Sequence, residues 1–157
     1  MLLRLALAAC LLVSACRIED HTPAGSRKDE NAIRDAVLNY YRAFNRRDWN
    51  ACPRMFVPGA VITSQVRDST GGVTTLATPA CEFLHRLAGA RTPGFEYRLI
   101  RTDLRQSGGI ASVWASVQRV KPDSNGAPAD ETEDLVLERD SSGWKITLLT
   151  ARWFYQP

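Results

Sequence analysis

The sequence is poor in histidine: His21 and His85 are the only two in 157 residues, so a metal site built from several histidines cannot form. It also lacks the H-x-x-H, G-x-S-x-G and phosphate-loop patterns that mark metal, serine-hydrolase and nucleotide sites. Charges nearly balance, with 20 Lys and Arg against 17 Asp and Glu, so no strong positive field is available to attract nucleic acid. We therefore expect no metal, no cofactor and no nucleic-acid partner.

The apolar run Leu5–Val13 is well short of the roughly 20 residues that a membrane-spanning helix needs. Arg4 precedes the run and the small pair Ser14-Ala15 follows it, which is the layout of an export signal. The stretch V-S-A-C, ending at Cys16, resembles the bacterial lipobox. This resemblance implies that residues 1–15 are a cleaved signal peptide and that Cys16 is lipidated. The alternative is an ordinary secretory signal whose cleavage site adjoins a cysteine.

The resemblance to bacterial lipoproteins also predicts a location. Three acyl chains on Cys16 would anchor the protein stably, since two membrane signals already suffice. Residues 16–28 are polar and contain Pro and Gly, which is typical of a flexible tether. In the sorting pattern of Gram-negative lipoproteins an aspartate after the lipidated cysteine favours the inner membrane, and this chain has Arg17 there. We therefore expect the outer membrane, with the protein facing the periplasm.

Two cysteines, Cys52 and Cys81, remain after cleavage removes Cys10 and lipidation uses Cys16. An even number of thiols in an oxidising compartment favours a disulfide. Closing a loop of about 29 residues would stabilise the fold by about 3.5 kcal/mol in the chain-entropy model. The alternative is two buried, unpaired thiols, because the sequence does not place the two segments side by side.

Residues 29–157 are enough for one domain with one core. Apolar side chains recur at intervals of three and four residues between Ile33 and Phe44, which predicts an amphipathic helix. A short second helix follows Asp48, a hairpin surrounds Gly71-Gly72, and a third helix ends at Gly89. The rest of the chain predicts four antiparallel strands, at about 95–104, 110–121, 131–139 and 144–154.

This order of elements resembles the nuclear transport factor 2-like superfamily, which includes SnoaL-like cyclases and ketosteroid isomerase. The segment D-W-N-A with M-F-V-P-G-A-V after it, and the closing strand G-W-K-I, carry the resemblance. It implies an α+β fold in which a cone-shaped, curved antiparallel sheet packs on three helices around an internal pocket, often in a homodimer. A small apolar ligand or an envelope protein would be its partner.

The predicted last hairpin places polar groups at one end of the apolar face. Its register puts Thr150 near Glu133 and Arg152 near Glu131, while Arg119 extends the preceding strand to the same end. Convergent polar groups beside an apolar pocket are typical of small-ligand sites. The alternative is that the two arginines and Glu131 are ordinary cross-strand ion pairs.

Tyr40 and Tyr41 are consecutive on the first helix, so we expect only one of them to face the interior. Its hydroxyl could bind a ligand carbonyl or simply pack in the core. In ketosteroid isomerase-like sequences the strand after the second helix carries an aspartate base, whereas Ser64 stands near that place. A serine with no adjacent base cannot efficiently remove a proton from the carbon beside a carbonyl group, as that aspartate does. A non-catalytic binding protein is therefore favoured over an isomerase, dehydratase or cyclase that would use a tyrosine with Glu133.

Overall fold

The computed structural model describes residues 27–67, 70–89, 94–121 and 128–155, without the side chains of 66–67 and 152–155. The predicted signal peptide and almost all of the predicted tether lie outside these residues. The elements in chain order are α1 (Arg27–Asn45), a 3₁₀ turn (Trp49–Ala51), α2 (Cys52–Met55), β1 (Phe56–Arg67), β2 (Val73–Pro79), α3 (Ala80–Gly89), β3 (Glu96–Ser107), β4 (Ile110–Val120), β5 (Ala129–Asp140) and β6 (Gly143–Tyr155). Three helices and a six-stranded sheet therefore form the α+β architecture that the sequence predicts. None of the helices in the described part of the chain is long and apolar enough to cross a membrane.

Helix α1 has the amphipathic pattern that its sequence predicts, and it begins at Arg27, two residues before the predicted domain boundary. Acidic Asp29 and Glu30 lie in its first turn and Arg42 in its last, where each charge favours the helix dipole. The buried stripe packs against β3 and β6. It consists of Ile33, Val37, Tyr40, Tyr41 and Phe44.

The sheet has the strand order β2-β1-β6-β5-β4-β3. All neighbouring strands are antiparallel except β1 and β6, which run parallel. The sequence predicts the hairpin and the four later strands but not this parallel pair, because local patterns carry no information about a partner almost 90 residues away. Helix α3 packs on β1 and β2, and α1 covers the side formed by β3 and β6.

The register between β5 and β6 differs from the predicted one. Trp144 and Ile146 are buried as expected, but a β-bulge lies between the Leu137–Ile146 and Val136–Leu148 pairs. An extra residue on one strand reverses the alternation beyond it. Consequently Leu149 is buried in place of the predicted Leu148.

A disulfide joins Cys52 at the start of α2 to Cys81 in the first turn of α3, with the two Cα atoms 5.6 Å apart. Cys52 is fully buried within the hydrophobic core that also contains the aromatic side chains of α1. The loop between the two sulfurs contains both strands of the β1–β2 hairpin. The bond therefore holds α3 and the hairpin to the part of the core that α2 covers.

Candidate functional site

The side chain of Glu133 lies within the hydrophobic core, where it is only 1% exposed. The Tyr41 hydroxyl donates a hydrogen bond to its Oε2 at a distance of 2.7 Å. Burying a carboxylate is costly unless hydrogen bonds or charges compensate for the lost water. A buried ionisable group bonded to a tyrosine is therefore the feature of this interior that packing alone does not require.

Strand β5 places Glu133 inside by simple alternation, since Leu135 and Leu137 point to the same buried face. Its partners across the ladder are small: Ala115 on β4 and Ala151 on β6 lie directly opposite. Both alanines are buried. The small side chains leave room beside the strand for a longer carboxylate side chain.

Both tyrosines of α1 are buried, which corrects the expectation that only one would face inward. The Tyr40 ring meets Phe56 edge to face at 5.8 Å, whereas Tyr41 meets Tyr97 at 6.0 Å. The apolar side of α1 is therefore wide enough for two consecutive aromatic residues, because β1 and β3 flank it. Burial raises the pKa of both phenols, and the nearby Glu133 raises it further. Tyr41 consequently keeps its proton at neutral pH and acts as a donor.

A line of polar groups leads from the interior toward solvent. The Tyr97 hydroxyl lies 3.5 Å from Oε2 of Glu131, and Nε of Arg119 lies 2.9 Å from Oε1 of the same carboxylate. Exposure of the side chain rises from 12% at Glu131 to 35% at Arg119. Burial raises the pKa of Glu131, and the opposing effects of Arg119 and Tyr97 do not cancel this. The predicted ion pair between Arg119 and Glu131 is thus present at the partly exposed end of the site.

Asn45 and Arg47 fix the start of β3, a role that no pattern in the sequence indicates. The Asn45 side chain donates to the Tyr97 carbonyl at 2.7 Å and accepts from the Tyr97 N–H at 2.9 Å, as a neighbouring strand would. Arg47 has a positive φ of 58° and donates to the Phe95 carbonyl at 2.6 Å. The end of α1 therefore sets the position of the Tyr97 ring.

Of the remaining predicted site residues, Thr150 lies away from this cluster and Arg152 is untested. Thr150 lies opposite Asp134 instead of Glu133, and its Oγ1 accepts a 2.9 Å hydrogen bond from Thr63. This prediction was wrong because the bulge in β6 moves Thr150 to the other face of the sheet. Arg152 belongs to β6, but its side chain lies outside the described residues, so its predicted contact with Glu131 stays a prediction.

Comparison with solved structures identifies the fold. An NTF2-like protein of unknown function from Pseudomonas putida superimposes with a TM-score of 0.68 at 12% identity, over 83% of this chain and 90% of that one. A protein from Novosphingobium aromaticivorans described as an aromatic ring hydroxylase gives a TM-score of 0.60 at 25% identity, over 83% and 91%. The β subunit of an aromatic-ring-hydroxylating dioxygenase described from the same organism gives 0.61 at 12% identity, over 81% and 90%.

The chain therefore has the nuclear transport factor 2-like, cystatin-like fold, as its element order predicts. No family model matches the sequence, and no curated protein matches it either.

Proposed function

We propose that this protein binds a small, largely apolar molecule in the interior of the fold and recognises one polar group of that molecule with Tyr41 and Glu133. The observation that carries the proposal is the 2.7 Å hydrogen bond between these side chains inside an apolar core. Pockets that hold small ligands combine apolar walls with a few placed polar groups. The aromatic rings around the pair supply such walls.

The cost of burying Glu133 supports this proposal. Replacement of a buried ionic group by an apolar one of similar volume is often neutral or stabilising, so folding alone does not call for a carboxylate here. The next two inward positions along β5, Leu135 and Leu137, are leucines, so an apolar side chain suits this part of the face. A ligand that hydrogen-bonds to the carboxylate would explain why a glutamate occupies this buried position, which core packing does not explain.

Native mass spectrometry of the full-length protein, purified from its own envelope, tests the proposal. Wild type is expected to carry a small molecule that Tyr41→Phe and Glu133→Gln lose. Tyr40→Phe is the matched control, because it removes the hydroxyl of the adjacent buried tyrosine and should keep the ligand. Retention of the same molecule by Glu133→Gln would refute recognition by the pair.

Arg119 and Arg152 are the proposed contacts for a carbonyl or anionic group at the exposed end of the ligand. Arg119 already lies at that end, paired with Glu131. Arg152→Ala and Arg119→Ala should each weaken binding. Arg119→Ala should also lower stability by more than the loss of an exposed ion pair does, because it leaves Glu131, only 12% exposed, without this partner. Undiminished binding by either variant would remove that arginine from the proposed site.

The second candidate function is proton transfer by an isomerase, dehydratase or cyclase, and the same buried pair favours it. A carboxylate held inside an apolar site can take a proton from the carbon beside a carbonyl and return it to another carbon. Small cyclic ketones incubated with the protein in D₂O would then gain deuterium faster than with Glu133→Gln. Ser64 stands against this candidate, because the aspartate base of the catalytic relatives that the sequence resembles is missing there. Equal deuterium uptake with wild type and Glu133→Gln would exclude proton transfer by Glu133 and leave ligand binding as the proposed function.

Protein interaction is the remaining alternative, since one structurally similar chain is a subunit of a larger enzyme. It would be favoured if native mass spectrometry finds an envelope protein, and no small molecule, bound to wild type.

We further propose that a lipidated Cys16 anchors the protein at the outer membrane, on the strength of the signal-like segment and the V-S-A-C sequence. Intact mass after expression in a bacterial host should show residues 1–15 removed and acyl chains added. Detergent partitioning should then place wild type in the membrane fraction and Cys16→Ala elsewhere. An unacylated, fully soluble wild type would refute the anchor.

A further inference from the structure

The outer face of the sheet carries an exposed tryptophan that the proposed interior site does not use. Trp114 on β4 is 65% exposed, more than the other large apolar side chains that stand out on the described surface. It lines a groove of about 690 Å³, together with Asp103, Leu104, Arg105 and Ser112. This volume lies within the range typical of small-molecule sites.

Most of the groups around Trp114 are polar, although Leu104 also lines the groove and the partly buried Val136 lies opposite Ser112. Asp103 on β3 and Asp134 on β5 lie directly opposite it in the two ladders. Ser112 and Ser116 precede and follow it on the same face of β4, because alternate residues share a face. Arg101 and Arg105 lie across from these serines on β3. One indole thus stands within a ring of two carboxylates, two hydroxyls and two guanidinium groups.

Arg101 binds one oxygen of the Asp103 carboxylate. Its Oδ1 accepts hydrogen bonds from Nε and Nη2 of Arg101, at 3.2 and 2.8 Å. Oδ2 has no hydrogen-bond partner among the residues that the structure describes. The second oxygen of this exposed carboxylate can accept a hydrogen bond from a ligand hydroxyl.

The size and polarity of this patch favour a saccharide over a protein. Interface cores between proteins are depleted in charged residues, and a protein covering Trp114 would also have to desolvate Asp103, Asp134 and Arg105. Two other exposed apolar residues lie on these strands. Ile110 is four residues from Trp114 on β4, or roughly 13 Å, and Ile100 is three residues from Asp103 on β3, or roughly 10 Å. A sugar ring presents one apolar C–H face and a rim of hydroxyls, which matches one indole surrounded by polar groups. The two carboxylates and two guanidinium groups balance in charge, which fits a neutral ligand.

We propose that the groove over Trp114 binds a neutral saccharide, whose ring stacks on the indole while its hydroxyls bond to Asp103, Arg105 and Ser112. This site is separate from the proposed interior site, because buried residues on β4 alternate with the exposed ones and point to the opposite face. Loss of one activity therefore leaves the other testable.

Titration of the full-length protein with glucose, N-acetylglucosamine and their β-1,4-linked disaccharides tests the proposal, with tryptophan fluorescence and the indole N–H signal in NMR as readouts. Mannitol is the control ligand, since it has hydroxyls but no ring face. We expect saturable binding of at least one sugar, weakened about tenfold or more in Trp114→Ala and also weakened in Asp103→Asn. Ile110→Ala, an exposed apolar residue outside the ring of polar groups, should bind like wild type.

Three results would overturn the proposal. The first is no saturable binding of any of the sugars, and the second is equal binding of mannitol. The third is a wild-type dimer in analytical ultracentrifugation that Trp114→Ala dissociates while sugar binding stays the same, which would make this face a contact between two copies of the chain.

Discussion

The two faces of the sheet have opposite chemistry, since the inner face is mainly apolar and the outer face mainly polar. One residue on each face departs most clearly from that rule. The inner face of β4 and β5 is formed mainly by alanine, valine and leucine side chains, with Glu133 as the acid buried among them at 1% exposure and the Arg119–Glu131 pair at its partly exposed end. The outer face carries serines and charged groups, with Trp114 exposed at its centre. Their costs differ greatly, because burying a charge is expensive whereas a single exposed apolar ring is ordinary on a protein surface.

The two residues therefore need different tests. Glu133 is bound into the fold through Tyr41, so its variants alter stability as well as any function. Trp114 contributes little to the core, so its variants report on binding almost alone. Four sets of substitutions measure that contrast, in decreasing order of their expected effect on stability.

The first prediction compares two tryptophans. Trp144→Ala should lower the free energy of unfolding by about 3–5 kcal/mol, because it empties a site that is 92% buried. Trp114→Ala should change it by less than about 0.5 kcal/mol, as surface substitutions usually do. Urea denaturation measures both. A Trp144→Ala protein as stable as wild type would mean that the inner face has been assigned wrongly.

The second prediction uses the adjacent leucines of β6 to test the bulge. Leu149→Ala should cost about 2–5 kcal/mol, since Leu149 is fully buried beyond the bulge. Leu148→Ala should cost about 1 kcal/mol or less, because that side chain is only partly buried. The same denaturation experiment applies, and a larger loss in Leu148→Ala than in Leu149→Ala would show that the strand keeps regular alternation.

The third prediction concerns the buried pair. Tyr41→Phe should lower the free energy of unfolding by about 1–3 kcal/mol, because it takes a hydrogen-bond donor away from a buried carboxylate. Tyr40→Phe removes a hydroxyl of the same kind from the neighbouring position and should cost less. Chemical denaturation of both variants gives the comparison. If Tyr40→Phe proved the more costly, the stabilising role of the Tyr41–Glu133 bond would be contradicted.

The fourth prediction is a pH effect at the partly exposed end of the site. Burial raises the pKa of Glu131, so the folded protein holds this proton to a higher pH than the unfolded chain does. Folding is therefore favoured at low pH, and this contribution is lost as the pH rises through the raised pKa. Melting temperatures between about pH 4 and pH 6 should fall less steeply in Glu131→Gln than in wild type. A steeper fall in the variant would reverse the assigned direction.

The sequence predicted most of the fold because its signals are local. Intervals of three and four residues mark α1, and alternation with Gly-rich turns marks the strands. It did not predict the parallel pairing of β1 with β6 or the bulge. The consecutive leucines 148 and 149 were the available sign of a bulge, since regular alternation cannot bury both Ile146 and Leu149.

The candidate site was predicted only in part, for the same reason. Tyr41, Glu133 and the Arg119–Glu131 pair were all named from the sequence, and the structure brings them to one side of the sheet. The contribution of Tyr97 could not be predicted, because it depends on Asn45 meeting the strand 52 residues later. Thr150 was predicted on the wrong face of the sheet because the bulge shifts the register of β6. Local sequence patterns do not show such a shift.

The position of β6 has a consequence for how the chain folds. It is the last strand of the described chain, yet it lies between β1 and β5 in the sheet. During synthesis, the hairpin β1–β2 and the meander β3–β4–β5 therefore emerge before the strand that joins them. Pairs such as Ile62 with Leu149 are distant in sequence, and contacts of this kind slow folding. The inner face of the sheet, including Glu133, is then incomplete until β6 is available to pair, so the ligand site we propose would be the last part of the domain to form.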